Sequence, residues 1–243
     1  MFSNIRVVLV DTSHPGNIGA AARGMKNMFL DRLYLVRPKH YPSAEATARA
    51  SGADDVLAAA VVCETLDQAL TGCGLVLGMS ARLRKLPWPL LDAREGGKLA
   101  VAESACTEVA LVFGNEHAGL SNEELDRCNY LVHIPANPAY SSLNLGAAVQ
   151  VLAYEVMMAE REGIEPVRDG QEGEKLASAD EMERFYEHLQ RVLVEIAFLD
   201  PDNPRHLMRR MRRLFGRSHV DQNEMNILRG ILTAVETKIG QKS

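Results

Sequence analysis

Six short runs of apolar and β-branched residues constrain this chain more than any other feature: Ile5–Val10, Leu33–Val36, Val61–Cys63, Leu75–Gly78, Val109–Phe113 and Leu131–Ile134. Several contain hardly a polar residue, which suits strands of a sheet covered on both faces. Helix-like segments separate them, at Ile18–Met28, Ala44–Ala50, Leu66–Leu70, Val101–Ala105 and Asn122–Cys128, the fourth being the least defined. Ser121 with Glu124 forms a capping box that starts a helix soon after the fifth run. Strand and helix in alternation predict a parallel α/β domain that ends near Arg161.

The stretch Ile134–Glu155, IPANPAYSSLNLGAAVQVLAYE, then predicts a strand end, a proline-bearing loop and a helix. Leu145, Val149, Leu152 and Val156 fall on one side of that helix, with Ser141 and Ser142 as its N-cap candidates. A helix this poor in charge packs on something large, which holds the preceding loop between the core and a ligand or a second subunit. From Gly163 to Ala179 the chain turns polar and glycine-rich, the composition of a linker. Ser178 with Glu181 repeats the capping box and opens a helix with Met182, Phe185, Leu189, Val192 and Ile196 on one face. The expected organisation is therefore an α/β domain over residues 1–162, a linker over 163–179 and a small all-α extension over 180–243.

Open parallel sheets bind ligands in the loops at the carboxyl ends of their strands. After the first run comes DTSHPGNIGAAAR. Its Gly16 and Gly19 let backbone approach a ligand, Asn17 can donate and accept, and Arg23 lies inside the next helix. The Gly-x-Gly-x-x-Gly of a dinucleotide turn and the Gly-Lys-Ser/Thr of a phosphate loop are both missing. After the fourth run, Ser80 is followed by Arg82, Arg84 and Lys85, which read equally as phosphate contacts or as a solvated charge run. The fifth run leads into FGNEHAGLS, where Gly114 and Gly119 free the backbone and Glu116 stands at a strand exit, in place to cap a helix or pair with an arginine. None of the seven histidines shows metal-like spacing, and the four cysteines form no Cys-x-x-Cys. No metal is expected, and the thiols are expected to be reduced.

Taken in order, NIGAAAR at Asn17–Arg23, FGNEHAGLS at Phe113–Ser121 and IP…SSLNL at Ile134–Leu145 closely resemble the three motifs of the SPOUT-superfamily RNA 2′-O-ribose methyltransferases. The resemblance extends to the TrmJ type, which modifies nucleotide 32, cytidine or uridine, of the tRNA anticodon loop. It implies an α/β domain with a carboxyl-terminal trefoil knot, a feature that general rules of chain topology would never suggest. It also implies a bent S-adenosylmethionine and a homodimer that completes the site. Carried over by motif, the cofactor pocket is lined by Ser80, Gly114, Glu116, Ile134, Ser142 and Leu143, and the catalytic group is Asn17, Arg23, Ser142 and Asn144. Asn115 stands where such relatives commonly carry arginine, and Met79 where threonine is usual. Neither departure touches the catalytic group.

Charge sharpens the expected partner. The chain carries a net charge of −5, but Asn203–His219 holds six arginines and no acidic residue. At helical spacing Arg205, Arg209, Arg212 and Arg213 share a face, and with Arg210 and Arg217 they form a cluster that an RNA backbone would neutralise. A solvated basic helix paired with the acidic helix before it is the other reading. Lacking both a signal peptide and an apolar run of membrane length, the chain is expected in the cytoplasm and not at a membrane. A nicotinamide-dependent oxidoreductase is disfavoured, because Arg37 sits where an acidic residue should end the second run. A methyltransferase for another tRNA or rRNA nucleotide remains open, as does an RNA-binding protein without catalysis.

Overall fold

A computed structural model describes residues 2–80, 88–164 and 175–241, so Arg82, Arg84 and Lys85 lie outside the described residues. In chain order the elements are β1 (Ile5–Val10), α1 (Pro15–Asn27), β2 (Arg32–Val36), α2 (Ala44–Ala50), α3 (Asp54–Ala58), β3 (Val61–Cys63), α4 (Leu66–Leu70) and β4 (Cys73–Met79). They continue as β5 (Leu90–Asp92), α5 (Ala93–Ser104), β6 (Glu108–Phe113), α6 (Asn122–Leu125), β7 (Tyr130–His133), α7 (Leu145–Arg161), α8 (Ala179–Glu195), α9 (Leu207–Gly216) and α10 (Gln222–Gly240).

The strands form one seven-stranded sheet in the order β3-β2-β1-β6-β4-β7-β5, and each described pairing is parallel. Successive side chains of a strand point to opposite faces, and both faces here are apolar. Ile5, Val7 and Leu9 of β1 and Val109, Leu111 and Phe113 of β6 face the core under α1, α2, α5 and α7. Val8, Val10, Ala110 and Val112 face a second core closed by Leu66 and Leu70 of α4 and Leu125 of α6. This two-sided burial is why the runs read as almost continuously apolar.

Three elements depart from expectation. The short edge strand β5 was not foreseen, because three half-exposed residues carry no period. Helix α3 was likewise missed, and the fourth linking helix, expected over Val101–Ala105, is the twelve-residue α5. Its start is set by a capping box of Asp92 with Glu95, which lies well before its apolar residues begin.

The carboxyl-terminal helices build a third core around Phe185, Tyr186, Val192, Met225 and Leu232, with Phe215 edge-on to Phe185 at 4.9 Å. Ile196, expected on the same face of α8, instead caps that helix and is 45% exposed. This unit is docked on the sheet domain. Asp180 accepts from the Gly72 N–H, the Asn129 side chain donates to the Gly216 carbonyl, and the Tyr130 hydroxyl lies 2.7 Å from Nε2 of His219. Within the expected linker, Lys175–Ala177 already pair with Val220–Gln222 of the extension.

Candidate active site

Strands β1, β6, β4 and β7 are neighbours, so the loops at their carboxyl ends converge. Those after β6, β4 and β7 surround a cavity of about 260 Å³. All six residues expected to line a cofactor pocket do line this cavity: Ser80, Gly114, Glu116, Ile134, Ser142 and Leu143. Met79, Leu120 and Leu145 add apolar walls. Gly114 is required by close approach, since a Cβ there would stand 2.2 Å from the carbonyl carbon of Gly119 and 2.3 Å from the amide of Leu120. The loop folds back on itself at this point, and Gly119 makes the return at φ 69°. Asn115 holds the fold-back, donating to the Asp11 carbonyl at 2.7 Å while its own oxygen accepts from the His117 N–H. Where relatives are expected to carry a projecting cation, this chain has a side chain committed to the loop.

Glu116 joins that loop to the one after β1. Its carboxylate accepts from the Ser13 N–H, the Ser13 hydroxyl, the His14 N–H and Asn17 Nδ2, at 2.9–3.2 Å. Burial by itself would raise its pKa, but the bonds from the Asn17 side chain and from Ser13 outweigh this and hold it at about 2. Helix α1 has no side-chain cap at His14, so the Glu116 carboxylate is the anion at its amino end. The capping role open to a glutamate at this strand exit and a place in the cavity wall are therefore the same position.

A third motif connects to the first through an amide. Asn144 Nδ2 donates to Asn17 Oδ1 at 2.9 Å, and Asn144 Oδ1 accepts from the Gly146 N–H at 2.9 Å. Each amide has one orientation that satisfies both of its bonds: oxygen toward the donor, nitrogen toward the acceptor. Glu116, Asn17, Asn144 and Gly146 thus form a continuous relay across all three motifs. The N-cap of α7 is Asn144, not Ser141 or Ser142 as expected. The serines are thereby left on the cavity wall. Helices α1 and α7 run together closely enough that a Cβ on Gly146 would come 2.7 Å from that of Ala20.

Arg23 is exposed and has no hydrogen bond or ion pair among the described residues. It lies one turn beyond Ala20 on the flank of α1 that follows α7. Its guanidinium is available to an outside anion. Ser13 and His14 were not singled out from sequence, and the signal they offered was an uncapped Ser-His-Pro entry to a helix.

Arg209 binds Asp126 at 2.9 Å, and Arg212 pairs with Glu183 while its guanidinium lies 4.4 Å over the Tyr186 ring. Arg127 extends this to a chain, reaching Glu183 at 3.3 Å and Asp67 at 2.7 Å. These contacts clamp the extension to the sheet domain and border a second cavity of about 370 Å³. Arg205, Arg210 and Arg217 are exposed, and Arg213 is half-buried. The described residues contain no group of acidic, histidine and cysteine side chains able to hold a metal, and no helix long and apolar enough to cross a membrane.

This doubly covered parallel sheet, with its glycine-lined cavity at the strand ends, has the SPOUT-type methylase fold. AviRb from Streptomyces viridochromogenes, a SpoU methyltransferase, shares it at a TM-score of 0.53 and 21% identity over 65% of this chain and 60% of that one. The chain belongs to the SpoU rRNA Methylase family, which matches residues 4–154, and it carries the C-terminal domain of tRNA methyltransferase TrmJ over residues 180–243. A tRNA (cytidine/uridine/adenosine-2′-O-)-methyltransferase TrmJ from Pseudomonas aeruginosa is 57% identical, over 97% of this chain and 95% of its own length. The tRNA (cytidine/uridine-2′-O-)-methyltransferase TrmJ of Escherichia coli is 52% identical over 97% and 96%. Among solved structures, TrmJ from Z. mobilis superposes with a TM-score of 0.82 at 31% identity, covering 95% of this chain and 98% of that one.

Proposed function

We propose that this chain transfers a methyl group from S-adenosylmethionine to a ribose 2′-hydroxyl of tRNA, at cytidine or uridine 32 of the anticodon loop, as a homodimer in the cytoplasm. The observation that carries the reading is the Glu116–Asn17–Asn144 relay, which gathers all three motifs at the rim of one cavity. That cavity suits the cofactor. Its about 260 Å³ is close to the lower end of the range, about 300–1,000 Å³, of small-molecule sites. Backbone groups of the Gly114 and Ile134–Leu143 loops would hold the edge of an adenine, with Leu120, Ile134 and Leu145 against its faces. S-adenosylmethionine supplies an electrophilic methyl group when bound.

The chain's own residues then have distinct work. A 2′-hydroxyl must be held in line with the methyl group and must lose its proton as it attacks. Ser142 and Asn144 orient the hydroxyl at the cavity mouth. Arg23 does not take the proton, because a guanidinium stays protonated in a protein. It grips the phosphate beside the target ribose and stabilises negative charge on the 2′-oxygen, with that phosphate receiving the proton. No metal takes part.

The family's trefoil knot would lie where the loop after β7 passes the Gly114 loop. For the second subunit, Phe29 just after α1, 60% exposed, and Tyr154 of α7, 44% exposed, offer apolar surface. Arg205, Arg210, Arg213 and Arg217 contact the tRNA backbone. Arg209 and Arg212 can join them only by giving up Asp126 and Glu183, and Arg82, Arg84 and Lys85 remain proposed phosphate contacts. The test is to map 2′-O-methyl groups in tRNA from cells with and without the gene, then to restore them with purified protein and S-adenosylmethionine. An unchanged nucleotide 32 would refute the assigned position, and an unchanged tRNA pool would refute the activity.

A further inference from the structure

Among the described residues, Tyr140 is the most exposed large apolar side chain, at 82%. Its neighbourhood explains why it stays there. Asn137 Oδ1 accepts from the Ala139 N–H at 3.0 Å, and the Asn137 carbonyl accepts from the Tyr140 N–H at 2.8 Å. With φ of Pro138 fixed by its ring, these two bonds close a stiff turn that lifts residue 140 clear of the domain. Ser141, Ser142 and Leu143 follow directly as cavity wall, and Asn144 is tied to Asn17. A tyrosine held out in water on a rigid turn, two residues from a proposed catalytic serine, is costly to leave uncovered. Among the described residues nothing covers it.

We propose that Tyr140 is a stacking platform for an unpaired nucleobase of the RNA substrate, beside the ribose presented to Ser142 and Asn144. The proposal rests on the function proposed above and adds how the RNA is seated. A loop nucleotide that offers its ribose to a cavity must leave its own stack, and a flat aromatic ring replaces what it loses. Every base has a π-face, so the contact anchors the nucleotide without selecting the base. Exposed Arg23 supplies the phosphate contact on the neighbouring helix, so one nucleotide would be held at base and backbone together.

The test compares Tyr140→Ala, Tyr140→Phe and Tyr140→Trp in methyl transfer to transcribed tRNA, with S-adenosylmethionine affinity, thermal stability and sedimentation measured on each. Loss of one base stack predicts a KM for tRNA raised on the order of 10-fold in Tyr140→Ala, with kcat little changed. Tyr140→Phe and Tyr140→Trp should stay near wild type, since both keep the ring. Cofactor affinity, stability and subunit association should not move. A Tyr140→Ala variant with the KM of an active wild type overturns the proposal, as does equal damage in Tyr140→Phe, which would place the role in the hydroxyl. Dissociation of Tyr140→Ala into monomers also overturns it, because the ring would then belong to a subunit contact. A wild-type protein that methylates no tRNA refutes the proposed function itself.

Discussion

Replacing Glu116 by glutamine tests whether one carboxylate holds the first two motifs together. In the folded chain this carboxyl ionises at about 2, against 4.5 ordinarily. The difference corresponds to about 3 kcal/mol at most. The side chain is partly wetted, and screening reduces this to roughly 1–2 kcal/mol. Glutamine keeps one oxygen, but its amide nitrogen must then face either the Ser13 donors or those of His14 and Asn17, so one pair is left facing another donor. The pKa is depressed on folding, so its contribution is complete above about 4.5 and is lost as pH falls toward about 2. Thermal unfolding at pH 7 should show Glu116→Gln lower in Tm by roughly 2–8 °C for a chain of this size. At pH 3 roughly two-fifths of the carboxylate's contribution remains, so the gap should narrow accordingly. Calorimetry should also show weaker S-adenosylmethionine binding, because the Gly114 loop loses its tie to α1. A gap in Tm that is the same at both pH values would refute the role of ionisation, and unchanged Tm at pH 7 would refute the clamp altogether.

Arg23→Ala should remove most turnover while leaving cofactor affinity nearly unchanged, and Arg23→Lys should also be poor because a point charge lacks the fork; single-turnover assays with saturating tRNA decide this. Gly114→Ala should abolish cofactor binding in calorimetry, since the added methyl meets backbone at 2.2 Å, where no side chain can yield. Arg210→Ala with Arg217→Ala should lower the slope of log affinity for tRNA against log salt by roughly 2 and leave Tm unchanged, whereas an unaltered slope would show that these arginines do not touch RNA. Truncation after Arg161 should keep S-adenosylmethionine binding but lower both tRNA affinity and Tm, because the extension is docked through Asp180, Gly216 and His219; an unaltered Tm would argue against the docking.

The parts legible in the sequence were those governed by neighbours along the chain. Strands such as β1, β4 and β6 were visible because burial on both faces leaves an apolar run that needs no partner to be recognised, and β3, whose Val61 and Val62 are exposed, was visible from its β-branched residues alone. The capping boxes at Ser121 and Ser178 were visible because they span three residues. Strand β5 and helix α3 were not, since their few residues acquire order only from β7 and from α1 and α2. Motif resemblance named the cavity residues one by one, yet it could not say that Glu116 binds Asn17 or that Asn144 rather than a serine caps α7. The bonds of Asn17 with Glu116 and with Asn144, each 2.9 Å, join residues about 100 or more apart that only strand order brings together, and the Asn144 cap, though local, belongs to a side chain held by the second of them. The arginine cluster shows the same limit from the other side. Composition shows six like charges in one segment, but the acids that neutralise Arg209 and Arg212 are Asp126 and Glu183, which only tertiary packing brings within reach.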